Sequence, residues 1–97
     1  MTPANVGGSD DDIQFVGHAL ENMADRGIAR AEAVAVVNRP GQVLDHDRGR
    51  RVFQARESGP GGKMILLRVI VDTRTLPWTV LTAYRTSKVS KYWRDTP

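Results

Sequence analysis

The chain has 97 residues, 40% apolar and 26% charged, and no cysteine. That is one domain's worth of chain with one modest core, and it excludes a disulfide framework, a thiol nucleophile and a cysteine zinc site. No apolar run approaches the ~20 residues of a membrane-spanning helix, and the N-terminus lacks the basic-then-apolar pattern of a secretory signal. No membrane association is expected, and a cytoplasmic location is, with delivery to another cell left open.

Charge is distributed unevenly. Up to Asp47 eight acidic residues face three arginines, a balance of −5; from Arg48 onward eleven basic residues face three acidic ones, a balance of +8. With a pI of about 9.8, a basic half of this kind is either an electrostatic footprint for phosphate or a solvated face that keeps the chain in solution.

Residues 1–12, with paired glycines and no apolar periodicity, read as a flexible tail ahead of a single domain over 13–97. Ile13 to Val16 reads as a short extended lead-in. From Gly17 the spacing of Leu20, Met23 and Ala24 predicts a helix, closed at Gly27 by a left-handed residue with Ile28 packing back over the last turn. A second helix follows over Arg30 to Asn38, with Ala33, Val34 and Val37 as its stripe, and Pro40 and Gly41 stop it. Then come a short edge segment over Val43 to Asp45, a turn at Asp47 to Gly49, and strands over Arg51 to Arg56, Lys63 to Asp72 and Trp78 to Arg85. The Ser58 to Gly62 loop and the Thr73 to Pro77 turn separate these strands. Thr86 to Trp93 forms a short closing helix or an extended cover. The expected fold is α+β, with two N-terminal helices packed on one face of a four- to five-stranded, mostly antiparallel sheet.

Strict alternation along the last strand puts Trp78, Val80, Thr82 and Tyr84 on one face and Thr79, Leu81 and Ala83 on the other. With the helices on the Leu81 and Ala83 face, Thr82 and Tyr84 remain open. Leu66, Arg68 and Ile70 share a face of the central strand. Where that face is also open, a guanidinium stands beside a hydroxyl and a phenol, a set able to hold phosphate and give a proton to a leaving oxygen. The competing reading is that Thr82 and Tyr84 are ordinary strand residues and Arg68 covers apolar surface with its stem.

His18 falls in the first turn of the first helix, where the helix dipole favours anions and neutral imidazole. His46 lies between Asp45 and Asp47, but adjacent residues rarely converge on one ion, so no metal site is expected. Arg48, Arg50, Arg51 and Arg56 surround the second strand, and Lys88, Lys91 and Arg94 follow the last one among Tyr84, Tyr92 and Trp93. Basic residues interleaved with aromatics suit single-stranded nucleic acid; Tyr92 and Trp93 equally suit sealing the core.

The segment from His18 to Ile28, with its histidine–alanine start, Met23 and Arg26-Gly27-Ile28, resembles the opening of the domain-of-unknown-function 4258 family. Pro40, Gly49-Arg50-Arg51 and Leu81-Thr82-Ala83-Tyr84 fit the same pattern, which covers about Ile13 to Trp93. The arrangement also resembles bacterial EndoU-like and RelE-like toxin domains. That resemblance implies metal-independent, cofactor-free RNA cleavage, in which the 2′-hydroxyl attacks the adjacent phosphate and leaves a cyclic phosphate. In this reading RNA is the partner, together with a silencing antitoxin or immunity protein. The resemblance makes His18 or His46 the base and Tyr84 or a second imidazole the acid, with Thr82 beside it. It gives Arg68, Arg51 or Lys88 the charged phosphorane, and places Arg50 in the phosphate-binding segment. Asn22 and Ala29 depart from the family pattern. A non-catalytic RNA- or protein-binding module of the same fold is the alternative.

Overall fold

The computed structural model describes residues 13–95, so the tail expected over 1–12 lies outside them. The elements in chain order are β1 (Ile13–Phe15), α1 (Gly17–Asp25), α2 (Arg30–Asn38), β2 (Gln42–Asp45), β3 (Arg50–Ser58), β4 (Met64–Asp72), β5 (Trp78–Thr86) and α3 (Val89–Tyr92). They build a five-stranded sheet in the order β1-β5-β4-β3-β2. β2 to β5 pair antiparallel, while the Ile13 lead-in is a strand that joins the edge of β5 in parallel, Ile13 opposite Trp78.

α1 ends as its sequence dictates. Ile28 N–H donates to Met23 C=O at 2.8 Å and Gly27 N–H to Ala24 C=O at 3.1 Å, with Gly27 at φ +70°. This is the double bond pattern of a left-handed helix end, with Ile28 buried over it. No atom stands within 4 Å of a Cβ built on Gly27, so a substitution there meets only the backbone cost. Gly27→Val is expected to destabilise the fold by more than ~1 kcal/mol, read as a lowered midpoint in urea. An unchanged midpoint would show that this turn tolerates a branched residue.

The buried stripe of α1 is Ala19 and Met23. Leu20, expected inside, is 42% exposed, because the buried face turns toward the i, i+4 pair rather than Leu20 and Ala24. α2 buries Ala33, Val34 and Val37 as expected, and Val36 besides. No side-chain oxygen at Ala29 caps α2; instead Glu32 Oε1 accepts the Ala29 N–H at 2.8 Å, which is the half of a capping box that Glu32 alone can supply. Both helices cover one sheet face, where Met23, Val34 and Val37 join Phe53, Leu67, Val69, Val71, Val80 and Ala83 in a single core.

Arg85 ties this layer to the sheet. Its Nε donates to Glu57 Oε1 at 2.8 Å and its Nη2 to Glu32 Oε2 at 2.7 Å. The Ala29 N–H, and after it the charge of Arg85, hold the Glu32 carboxyl below its usual value. At the far end of β4 the Arg74 side chain, then its backbone N–H, pulls Asp72 down to about 2. Both carboxylates are depressed, so the stability they add is present above their unfolded values and is lost as pH falls through the folded ones. Thermal midpoints should therefore fall between about pH 4.5 and 2, and Glu32→Gln with Asp72→Asn should flatten that fall. An unaltered slope in the double variant would place the acid lability elsewhere.

One feature of β5 departs from strict alternation. Thr82 pairs with Ile70, but Val80 pairs with Val71, so Leu81 is an extra residue opposite no partner. Such a bulge reverses the parity of the strand. Val80 is fully buried in the helix-side core, and Trp78 packs there too, its ring 5.5 Å from Phe53. The expectation that Trp78 lines the open face beside Thr82 and Tyr84 is thereby corrected.

Candidate nucleic-acid interface

The sheet face opposite α1 and α2 carries a row of polar side chains at one register position. Gln42 pairs with Gln54, Gln54 with Arg68, and Arg68 with Tyr84. The side chains are bonded in the same sequence. Gln54 Nε2 donates to Gln42 Oε1 at 2.9 Å, Arg68 Nε donates to Gln54 Oε1 at 2.8 Å, and Arg68 Nη1 donates to the Tyr84 hydroxyl at 2.6 Å. Gln54 is fully buried and Arg68 is 7% exposed. None of the row's other members is acidic, so the guanidinium is held by neutral acceptors and keeps its positive charge uncompensated.

The C-terminal segment lies across this row. The Tyr92 ring centroid is 4.0 Å from Arg68 Cζ, and the Trp93 ring 4.3 Å from Arg56 Cζ. Gln54 Nε2 also donates to Tyr92 C=O at 3.1 Å, and Gln42 exchanges bonds with the Arg94 backbone, giving to its carbonyl and accepting from its N–H. Tyr92 and Trp93 thus lie over the polar row through cation–π contacts, on a face that also buries Leu66 and Val52.

Of the residues singled out in the sequence, Arg68 and Tyr84 meet as anticipated, although beneath a cover rather than on an open face. Thr82 shares their side of β5, but its hydroxyl accepts from Arg26 Nη1 at 3.1 Å. The same nitrogen donates to Ala83 C=O, so Arg26 satisfies the β5 edge beyond the end of β1. Arg50 and Arg51 point to opposite faces, as neighbours in a strand must. Arg50 shares the Arg68 face, and its Nε is buried with no partner. Arg51 points to the helix side and lies 3.7 Å from Asp45. Lys88 is exposed at the start of α3.

The two imidazoles stand apart from Tyr84. His18 is exposed in the first turn of α1, in the helix layer. His46 sits beyond β2, its N–H bonded to Arg50 C=O and its Nδ1 2.7 Å from Asp47 Oδ1. Counted along the strand from Gln42, it is about 13 Å from the polar row. Among the described residues no group of three or more His, Asp or Glu is placed to hold a metal ion. No helix among them is long and apolar enough to cross a membrane.

Sequence reasoning missed Gln42, Gln54 and Arg26. The one available signal was Gln54, which interrupts an otherwise apolar run at a position paired with the central strand.

Uncovered, the Arg68–Tyr84 pair has the chemistry to hold an anion and give one proton. The Tyr84 oxygen accepts from Arg68 and keeps its own proton to donate, while Arg56, Lys88, Lys91 and Arg94 line the rim, exposed. Asp72, an acidic residue of this face, is held by a two-pronged contact from Arg74 at 3.0 and 2.8 Å. A family model described as "Domain of unknown function (DUF4258)" matches residues 15–85, a span that holds all four members of the row and ends before α3. No curated protein and no solved structure matches the chain.

Proposed function

The chain belongs to the DUF4258 family, and on that premise we propose that it acts on RNA, as a small toxin-like endoribonuclease that needs no metal. The observation that carries this reading is the uncompensated Arg68–Tyr84 pair, bonded at 2.6 Å, inside a rim of exposed cations and aromatic rings. Cations track phosphates and rings stack on bases, so the face suits a single strand. The reaction proposed with it, on the sequence resemblance to EndoU-like and RelE-like toxin domains alone, is attack of the 2′-hydroxyl on the adjacent phosphate. Tyr84 gives its proton to the leaving oxygen and Arg68 stabilises the charged phosphorane, with Arg50 and Lys88 on neighbouring phosphates. An imidazole, His18 or His46, is the base, with Thr82 at the margin, while Arg51, on the helix side, takes no part. A small acidic protein that covers the same cations is the matching antitoxin or immunity partner.

A second reading, a non-catalytic RNA-binding module, is favoured by the distance of both imidazoles from Tyr84. One experiment separates the two. The purified chain is incubated with mixed cellular RNA in a chelator, and fragments ending in cyclic phosphate are sought. Discrete fragments support the nuclease; intact RNA that is nonetheless bound supports the module. In either case affinity should fall with salt at a log–log slope of roughly −0.7 per phosphate contact. Absence of binding at low salt would remove both readings.

A further inference from the structure

Arg68 is the one side chain of its row whose surroundings do not match its charge. It is 7% exposed, and its acceptors are an amide oxygen and a phenol, both neutral. A guanidinium buried for packing alone is ordinarily matched by a carboxylate, because an unmatched charge away from water is costly. Its cover is of a different character from the core. α3 is four residues long with no buried residue, and the segment rests on the sheet through Tyr92 over Arg68, Trp93 over Arg56, and amide bonds from Gln42 and Gln54. These contacts can be exchanged for water or for a ligand without opening the helix-side core, and the apolar residues buried on the segment's side of the sheet are Leu66 and Val52. Lys88, Lys91 and Arg94, on the same segment, are exposed, so a polyanion meets the cover before it meets Arg68.

We propose that Arg68 and Tyr84 form a latent phosphate site, closed by the Tyr92 ring and opened when an RNA backbone draws the segment from Lys88 to Arg94 off the sheet. The proposal rests on the RNA reading above and deepens it: the phosphodiester takes the place of the Tyr92 ring on the guanidinium, and the phenol, freed on the same side, donates to a phosphate oxygen. Closed protein binds RNA only through the rim, and open protein binds through rim and row together.

The test uses the full chain, labelled with nitrogen-15, and a 2′-O-methylated oligouridylate that cannot be cleaved. The Arg68 Nε–H and the Trp93 indole N–H are followed through the titration. In the wild type both resonances are expected to move together on binding. Tyr92→Ala should bind more tightly by the reciprocal of the open fraction, about tenfold for a segment open one-tenth of the time. Gln42→Ala, which releases Arg94 and leaves the ring in place, should bind with an intermediate gain and serves where Tyr92→Ala does not fold. RNA binding that leaves the Arg68 Nε–H unmoved, or that is equal or weaker in both variants, overturns the latent site and spares the RNA face. No binding by any of the three proteins at low salt overturns the RNA reading and this proposal with it.

Discussion

Tyr84→Phe is expected to lower RNA cleavage by about 10²–10⁴-fold, the usual cost of losing a positioned proton donor. The ring stays, so the change removes only the oxygen that accepts from Arg68 Nη1 at 2.6 Å. Tyr84 is half-buried and Arg68 is buried beneath the Tyr92 ring, so leaving its Nη1 without the phenol oxygen should cost about 1–3 kcal/mol of folding. Circular dichroism and a urea midpoint check that the variant is folded before its cleavage is compared. His18→Ala and His46→Ala in parallel identify the base: the imidazole whose loss matches the Tyr84 defect is the one that moves to the phosphate. Cleavage at the wild-type rate by Tyr84→Phe would take the acid away from this strand.

Gln54→Leu should have the largest effect on stability, about 2–4 kcal/mol. Leucine is of similar, slightly larger volume and is at home in a fully buried strand position. What it cannot do is accept the Arg68 Nε–H or donate to Gln42 and the Tyr92 carbonyl. The penalty comes from leaving a buried cation without its acceptor, not from a cavity. Adding Arg68→Leu should therefore recover much of the loss, since removing both partners costs less than removing one. A single Gln54→Leu variant as stable as the wild type would mean that water enters the row and satisfies Arg68.

The sequence disclosed some of this and concealed the rest for identifiable reasons. Gly27 declared the end of α1 because only a residue without Cβ takes φ +70° cheaply. The α+β class followed from helical spacing giving way to alternation near residue 42. The meeting of Arg68 with Tyr84 was legible because both lie on the unbulged part of their strands, where alternation holds. Nothing in Trp78 to Tyr84 marks Leu81 as a residue without a partner, so alternation alone puts Trp78 on the wrong face. Gln42 and Gln54 were passed over because glutamine is ordinarily an exposed residue, and only the register reveals that the two stand side by side under a cover. The cover is only half legible: two adjacent aromatics, Tyr92 and Trp93, signal a seal, but their targets, Arg68 and Arg56, lie on other strands across the sheet.

The parallel pairing of Ile13 with Trp78 has a bearing on how this chain is made. The first strand finds its place only against the last, 65 residues later in the sequence, and α1 lays Met23 on a core that includes β5. During synthesis the two helices leave the ribosome with their apolar stripes bare and nothing to bury them against. Such distant pairings form late, after the loop between them has closed. The apolar face of α1 therefore stays unburied until β5 emerges, and a chain truncated before Trp78 is expected to lose both the β1 pairing and that packing.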